Sequence, residues 1–398
     1  MSHIVYVAYT GALEPLGQSQ VLPYLRGLAA RGVRSTLISF EKAPDWRDSA
    51  RRASQAAELR RAGIEWQPCL WRASLVGKLA NAGEGTWRAL AASRRTGARL
   101  IHARSHVAAA MAAVACRLGG RPLLFDLRGQ LAEEYADAGH WRRGGLLHRL
   151  TRVMERALLR EARGVVVLTR RLAVELEVPA ATPVVTIPCC VDRAVFRPVP
   201  TDKPAFFADL AAKPVLVYAG SVGTWYLLDE MMSLFARAHR RCAEVRFLAL
   251  SAGAVDAIDA AARRAGAPRA QVHVRFVPHH QVAAWLTWCR AGIAFISPAP
   301  SKRGSSPTKV AEYLACGVPV VCNSGIGDLD DFVEREGVGV VTQGLETTEM
   351  DRAVEFVLGA ASTRLVRERC MAVAADRFDL ERIGVSRYHE LYERMGAV

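Results

Sequence analysis

The stretch from Ser301 to Val321 combines residue types that can bind a nucleoside diphosphate. It follows an apolar run, Ala291 to Ile296, that predicts a buried parallel strand. A helix is predicted to begin near Thr308 and to end at Gly317, which favours the left-handed backbone of a helix stop. A strand, a Gly/Ser loop and a helix N-terminus indicate an anion site, because free N–H groups and the helix dipole point at the loop.

Side chains of the same stretch supply the charges that such a site needs. The candidates are the cations Lys302, Arg303 and Lys309, the helix-start residues Ser305, Ser306 and Thr308, and the carboxylate Glu312. Glu312 lies one turn into the helix, and its carboxylate can accept hydrogen bonds from two vicinal hydroxyls of a ribose. Phosphate donors and a diol acceptor together predict a nucleotide-diphosphate pocket. The alternative is an ordinary βα turn of any doubly wound domain.

The stretch resembles the nucleotide-sugar site of the retaining glycosyltransferases of family four, which have the two-domain GT-B fold. In that family a Glu, seven residues and a second Glu precede a strand that begins small-Gly-Leu-Pro-Val. Glu312 matches the second Glu, which in the family holds the donor ribose. Gly304 stands where the family has the first Glu, which usually touches the donor sugar. The resemblance implies an α/β protein with two doubly wound, Rossmann-like domains that face each other across a cleft.

The bulk composition is that of a globular chain long enough for two domains, with 398 residues, 51% hydrophobic and 23% charged. No uncharged apolar window reaches about 18 residues, so we expect no transmembrane helix. The N-terminus has no basic segment, so we expect no signal peptide. Nine scattered cysteines without a Cys-x-x-Cys pair predict free thiols in a reducing cytoplasm and no metal site.

Alternating strand and helix patterns predict parallel sheets in both halves of the chain. We expect an acceptor-binding domain over residues 1–196, a proline-containing linker over 197–213 and a nucleotide-sugar domain over 214–375. Residues 376–398 predict a last helix, which in the GT-B fold crosses back onto the first domain.

In each domain, a glycine-containing loop follows the first strand. The loop from Gly11 to Gln20 resembles the family's first glycine-rich loop, which approaches the donor phosphates, so Gly17 is a predicted donor-binding residue. In the second domain the predicted donor-binding residues are Gly220, Ser221, Gly223 and Thr224. The Arg and Lys that the family has in this second loop are absent. Phosphate binding therefore falls to Lys302, Arg303 or Lys309, with backbone N–H groups of the loop.

Asp126 and Arg128 follow another strand of the first domain, where open α/β sheets carry ligands. Arg128 is either a cation that faces the sugar or acceptor, or the partner of Glu133 or Glu134 in a loop salt bridge. The predicted catalytic residues are Arg128, Asp126 and Lys302.

The loop after the strand Val272 to Val277 faces the nucleobase in the family, which makes Pro278 a predicted donor contact. His279 and His280 follow it. A metal pair is one interpretation, but no Cys or carboxylate neighbours them in the sequence, so we favour helix capping.

The net charge is +14, and the densest basic segment, Trp141 to Arg163, has seven arginines against two glutamates. Its apolar positions follow helical spacing and are Leu146, Leu147, Leu150, Val153, Met154, Ala157 and Leu158. We expect reversible association with an anionic membrane surface. The alternative is a core helix with a solvated basic face.

Together with the resemblance, these observations predict an enzyme that transfers a sugar from a UDP- or GDP-sugar, UDP being favoured. The resemblance implies retention at the anomeric carbon. The expected acceptor is lipid-linked or a saccharide, in cell-surface polysaccharide or glycolipid assembly on the cytoplasmic side. We expect no metal, no cofactor and no nucleic-acid partner. The alternatives are a GT-B sugar-nucleotide epimerase with Asp126 and Glu133 as acid and base, a phosphorylase, or a non-catalytic binder of lipid or nucleic acid.

Overall fold

The computed structural model describes residues 2–200, 203–210, 213–223 and 225–398. These residues form two compact units. The first comprises Met1–Pro188 and Leu380–Val398, and the second comprises Cys189–Asp379. The segment 197–213, where the sequence predicts a linker, falls inside the second unit.

The first unit is built on a parallel sheet whose described strands have the order β3-β2-β1-β4-β5-β6-β7. The strands are β1 (His3–Ala8), β2 (Arg34–Glu41), β3 (Ile64–Leu70), β4 (Leu100–Arg104), β5 (Leu123–Asp126), β6 (Gly164–Val167) and β7 (Val184–Thr186). The chain builds the sheet from β1 to β3 on one side and then from β4 to β7 on the other. The direction of the strand order reverses between β1 and β4. Open α/β sheets bind ligands at such a reversal point.

Helices cover both faces of this sheet. They are α1 (Pro15–Gln20), α2 (Leu22–Ala30), α3 (Ala43–Arg47), α4 (Ser49–Arg61), α5 (Leu75–Thr96), α6 (Ser105–Gly119), α7 (Leu131–Asp137), α8 (Leu146–Glu161) and α9 (Arg170–Glu175). The C-terminal segment adds a π-helical turn, Leu380–Val385, and the final helix, Ser386–Arg394. The sequence predicts a helix there, and the π-helical turn forms its first part.

The second unit has a parallel sheet whose described strands have the order β10-β9-β8-β11-β12-β13. The strands are β8 (Val215–Ala219), β9 (Arg246–Leu250), β10 (Val272–Arg275), β11 (Ala291–Ala294), β12 (Val320–Asn323) and β13 (Gly339–Thr342). Its helices are α10 (Leu228–Arg241), α11 (Val255–Arg264), α12 (Val282–Leu286), α13 (Thr308–Ala315), α14 (Leu329–Phe332), α15 (Thr347–Leu358) and α16 (Arg364–Arg377). Every residue of β8, β9, β11, β12 and β13 is buried, as expected for a parallel sheet with helices on both faces.

Both units are doubly wound, Rossmann-like α/β domains, which confirms the predicted fold class. In the described part of the chain, no helix has both the length and the hydropathy required to cross a membrane. Single residues separate neighbouring helices at two places: Val21 lies between α1 and α2, and Asp48 lies between α3 and α4.

Tyr313 fixes helix α13 on the second sheet. Its ring lies directly on Gly292 of β11, in space that a Cβ atom would fill. Its hydroxyl accepts a hydrogen bond of 2.8 Å from the backbone N–H of Ala219, at the end of β8. Because Tyr313 is fully buried, these two contacts set the position of the whole helix relative to the strand ends.

We expect Gly292→Ala to destabilise the protein by about 1–3 kcal/mol, because the new methyl group overlaps the Tyr313 ring in a closely packed core. Chemical denaturation measures the change. Gly83→Ala in α5 is the matched control: no atom lies within 4 Å of the added methyl group, and alanine favours a helix interior by roughly 0.5–1 kcal/mol. Equal effects of the two substitutions would contradict the assigned packing.

Candidate functional site

The N-terminus of α13 is open in this structure. The helix begins at Thr308 after Pro307, and no described side chain caps it. The hydroxyl of Ser306, a predicted capping residue, instead accepts a hydrogen bond of 3.1 Å from the backbone N–H of Cys189. The backbone N–H of Ser305 bonds the carbonyl of Lys302. The N–H of Val310 bonds the carbonyl of Pro307, so the N–H groups of Thr308 and Lys309 are those of the first turn that an anion can reach.

Lys309 places a buried amine in the first turn of α13. Its Nζ lies 4.0 Å from the ring centre of Tyr218 and 3.7 Å from that of Tyr226. A Cβ atom on Gly220 would lie 3.1 Å from this Nζ, so the amine is close to the loop that follows β8. Among the described residues Nζ has no hydrogen-bond partner. Desolvation by burial lowers the pKa of Lys309 to about 7, and the nearby Glu312 carboxylate opposes the shift.

Lys302 provides a second buried cation. It lies in a 3-10 turn, Pro300–Gly304, that the sequence does not predict, and its Nζ is 3.5 Å from the ring centre of Trp225. Its backbone carbonyl accepts a hydrogen bond of 2.8 Å from the N–H of Gly327 and so ties the turn to the loop after β12. Arg303 of the same turn is exposed.

Glu312 lies one turn along α13 from Lys309 and is nearly buried. Its Oε1 is 3.0 Å from Nε2 of His279, and the hydrogen bond to Glu312 raises the pKa of His279. Pro278 directly precedes the short turn His279–Gln281 that carries this histidine. His279 is thus a carboxylate partner, whereas helix capping was favoured from the sequence. His280 contacts the side chain of Gln281.

In the loop after β8, two of the predicted donor-binding residues make hydrogen bonds within the protein. The backbone N–H of Gly220 is bonded to the carbonyl of Leu250 at 3.0 Å, so it is not free for a phosphate. The carbonyl of Ser221 accepts a hydrogen bond of 2.6 Å from the Tyr218 hydroxyl. Gly223 has open space around its Cα. Thr224 lies outside the described residues.

In the first unit Asp126 is the centre of a buried polar cluster at the end of β5. Its carboxylate lies 3.3 Å from Arg128 Nη1 and 3.5 Å from Arg104 Nη1, and it accepts a hydrogen bond of 3.0 Å from the Tyr388 hydroxyl. Burial alone would raise the pKa of Asp126, but Arg128, His102 and Arg104 together hold this pKa well below its usual range. Asp126 is fully buried and ionised, which suits a group that orients Arg128.

The first glycine-containing loop is held by Glu41, a residue that the sequence analysis did not single out. Glu41 ends β2, is fully buried, and accepts hydrogen bonds from the N–H groups of Ala12 at 2.7 Å and Leu13 at 3.1 Å. The hydroxyl of Ser39 donates a further bond of 2.6 Å to it. Two N–H groups of the loop are therefore committed to a protein carboxylate. The sequence feature that could have identified Glu41 is a carboxylate at the end of an apolar strand.

Gly17 has a packing role in the same loop. A Cβ atom at this position would overlap the carbonyl oxygen of Gly11 and the Cα atom of Ala12. The glycine therefore lets α1 lie against the loop that Glu41 fixes.

The structure thus brings Lys302, Lys309 and Glu312 to the strand ends of the second sheet, and it brings Asp126 and Arg128 together in the first unit. Within the described residues, no group of three or more His, Cys, Asp or Glu side chains is placed to hold a metal ion.

Comparison with known proteins supports the resemblance inferred from the sequence. Residues 17–190 match the family model of the glycosyl transferase 4-like domain. No curated protein matches the sequence significantly.

Solved structures match over nearly the whole chain. HepE from Anabaena, solved in complex with UDP and glucose, has 18% identity and a TM-score of 0.72, with 99% of this chain and 100% of that chain covered. Sucrose-phosphate synthase from Thermosynechococcus elongatus has 18% identity and a TM-score of 0.73, with both chains fully covered. A putative UDP-N-acetylglucosamine 2-epimerase from Listeria monocytogenes has 10% identity and a TM-score of 0.59, with 98% and 94% covered. These likenesses establish the GT-B fold.

We expect Glu41→Gln to cost about 1–3 kcal/mol of stability, because the amide group cannot accept both loop N–H bonds and leaves a buried donor unpaired. Hydrogen exchange should show faster exchange at Ala12 and Leu13.

Glu14→Gln is the control, since Glu14 accepts one bond of 3.1 Å from Gly11 and is partly exposed. Unchanged protection of Ala12 and Leu13 in Glu41→Gln would contradict the clamp.

Proposed function

We propose that this chain, which carries a glycosyl transferase 4-like domain on a GT-B fold, transfers a sugar from a nucleoside-diphosphate sugar to an acceptor. One observation carries the proposal. A buried amine without a described partner, Lys309, lies at an uncapped helix N-terminus, with the Glu312 carboxylate one turn away. The amine and the helix N-terminus suit a diphosphate, and the carboxylate suits the hydroxyls of a ribose in the same ligand.

In the proposed donor complex the diphosphate binds the N–H groups of α13 and Lys309, and Lys302 supplies a second cation. Glu312 accepts hydrogen bonds from the ribose hydroxyls, and Pro278 contacts the nucleobase. A UDP-sugar is the favoured donor, and the similarity to HepE, solved with UDP and with UDP-glucose, supports this choice. Gly304 leaves no carboxylate where the family has its first Glu, so other groups must hold the sugar hydroxyls.

The proposed chemistry needs no protein nucleophile. The bond between the anomeric carbon and the phosphate oxygen breaks, and the acceptor oxygen bonds the same carbon on the face that the nucleotide leaves, so the configuration is retained. The acceptor proton passes to the departing phosphate oxygen. Lys309, Lys302 and the N-terminus of α13 stabilise the developing negative charge, a task that a preorganised cation performs well in a water-poor site. A divalent metal is not required in this scheme.

In the first unit we assign Arg128 to the sugar or acceptor and Asp126 to the orientation of Arg128. Asp126 is a poor acid or base for epimerase chemistry, because its cationic neighbours hold its pKa well below the usual range. The proposed acceptor is lipid-linked or a saccharide, in polysaccharide or glycolipid assembly on the cytoplasmic side. Formation of a new UDP-sugar epimer without any acceptor would favour the epimerase alternative.

We expect UDP binding to take up a proton at Lys309. The ligand-free pKa of Lys309 is about 7, so the amine is mostly neutral at pH 8, and the diphosphate favours its charged form. Affinity should fall as the pH rises from 7 to 9, a range above the second phosphate pKa of about 6. Titration calorimetry in buffers of different ionisation enthalpy measures the uptake, which should approach one proton per UDP at pH 8 and vanish in Lys309→Met. This substitution should weaken binding by about 1.5–3 kcal/mol.

Lys213→Met is the control in the same unit, because Lys213 pairs with Glu244 away from α13. Equal UDP affinity and proton uptake in wild type and Lys309→Met would remove the amine from the diphosphate site. The titrations are repeated with EDTA, and a requirement for magnesium or manganese would contradict the metal-free scheme.

A second proposal concerns an exposed apolar surface on the first unit, here called the docking surface. Its residues, 55–74% exposed, are Leu146, Leu147, Leu150 and Val153 of α8. Leu158, near the end of α8, is buried, so the predicted stripe packs on the core in its last part alone. Large exposed apolar patches mark interaction sites.

Exposed arginines on α8 and just before it favour an anionic lipid surface as the partner of the docking surface. Arg142, Arg149 and Arg156 are exposed and have no carboxylate partner among the described residues. Arg143 is different, because it pairs with Glu133 and Asp137. Free cations beside exposed leucines allow the apolar side chains to enter the lipid while the guanidinium groups meet the headgroups.

We expect vesicles with anionic lipid to bind the protein and neutral vesicles to bind it weakly. Replacing Arg142, Arg149 and Arg156 by Gln should lower the binding constant roughly 100-fold, since each contributes about 1 kcal/mol near an anionic surface. Co-sedimentation at several salt concentrations measures the effect.

The control replaces Arg60, Arg240 and Arg263 by Gln, which changes the charge equally outside the docking surface. Equal loss in both triple variants would show that net charge rather than this surface determines binding. Leu146→Ser with Leu150→Ser tests the apolar contribution.

A further inference from the structure

The carboxylate of Glu312 has one oxygen engaged and one open. Oε1 contacts His279 Nε2 at 3.0 Å, whereas Oε2 has no partner among the described residues. The side chain is 11% exposed, so few directions are open to an incoming hydroxyl. We propose that His279 is a positioning residue that holds Glu312 ready to accept the ribose hydroxyls, and so sets selection of ribonucleotides over deoxyribonucleotides. The inference rests on the proposed function, because it assumes that Glu312 binds the donor ribose.

The local backbone places His279 firmly. Pro278 restricts the chain just before it, and the histidine begins a 3-10 turn at the end of the loop after β10. Its ring lies against the buried ring of Phe196, with 5.1 Å between the ring centres. Both histidines are exposed, but the His280 ring contacts the Gln281 side chain, whereas the His279 ring contacts Phe196 and Glu312. The two adjacent histidines therefore provide a functional position and a matched control.

His279 also keeps two ligand-binding charges apart. Lys309 and Glu312 are three residues apart on α13, a spacing at which oppositely charged side chains pair on a helix surface. The structure shows no ion pair between them: Glu312 bonds His279, and Nζ of Lys309 has no hydrogen-bond partner. Without His279, the Glu312 carboxylate is free to turn towards Lys309. A pair of this kind would neutralise the phosphate-binding amine and remove the ribose acceptor at once.

The test compares the dissociation constants of UDP and 2′-deoxy-UDP, since their ratio reports the contact with the ribose hydroxyl. We expect a ratio of roughly ten in the wild type, the factor for one hydrogen bond to a charged group. The ratio should fall towards about one in His279→Ala and remain near ten in His280→Ala. His279→Gln should keep part of the ratio, because its amide N–H can still donate to Glu312.

Different outcomes separate the two proposals. If Glu312→Ala leaves both dissociation constants unchanged, the ribose assignment of the proposed function fails. If Glu312→Ala lowers the ratio and His279→Ala does not, the positioning inference is overturned and the proposed function stands. Equal weakening of both ligands in His279→Ala, with a lower melting temperature, would indicate a general packing role and would also overturn it. Combining the two substitutions should lower the ratio no further than Glu312→Ala alone.

Discussion

The burial of the Lys309 amine is the constraint on which the donor site depends. Removing an ammonium group from water is costly unless a partner replaces the lost hydration, and here two tyrosine rings replace only part of it. The cost appears as a pKa lowered to about 7. An anion that reaches Nζ offsets this desolvation cost. Part of the free energy that burial of the amine costs the ligand-free protein is therefore recovered as binding free energy. The packing of Tyr313 on Gly292 keeps the amine in place, because it fixes the helix that carries Lys309.

In the first unit, by contrast, the buried charges around Asp126 are paired with one another. Asp126 is surrounded by Arg104, Arg128 and His102, and the Tyr388 hydroxyl of the final helix also bonds it. Such a cluster stabilises the ionised carboxylate, and loss of Asp126 would leave its cationic partners buried without their shared carboxylate. It suits a rigid support for Arg128. Glu41 acts similarly on the glycine-containing loop, whose N–H groups it occupies. The first unit, which includes most of the residues that match the glycosyl transferase 4-like family model, therefore presents orienting groups, whereas the second unit keeps an unsatisfied cation.

Much of this architecture could be predicted from the sequence. Continuous apolar runs such as Val215–Ala219 predict buried parallel strands, because only a sheet covered on both faces removes every side chain from water. The helix from Thr308 and its stop at Gly317, with φ of 72°, follow from local preferences. Lys302, Lys309 and Glu312 were predicted from their spacing around one helix N-terminus. These features depend on neighbours within a few residues, and the amino-acid sequence determines them directly.

Tertiary structure alone decided which charges are satisfied. Nothing near Lys309 in the sequence shows that Tyr218 and Tyr226 enclose its amine, or that His279 takes one oxygen of Glu312. The burial of Asp126 between Arg104 and Arg128 likewise depends on the folded chain. Leu146 and Leu150 fit a core stripe by spacing, yet they are exposed. The physical reason is the same in each case. Local preferences act between neighbouring residues, whereas burial and electrostatic pairing depend on groups that meet only after distant segments pack.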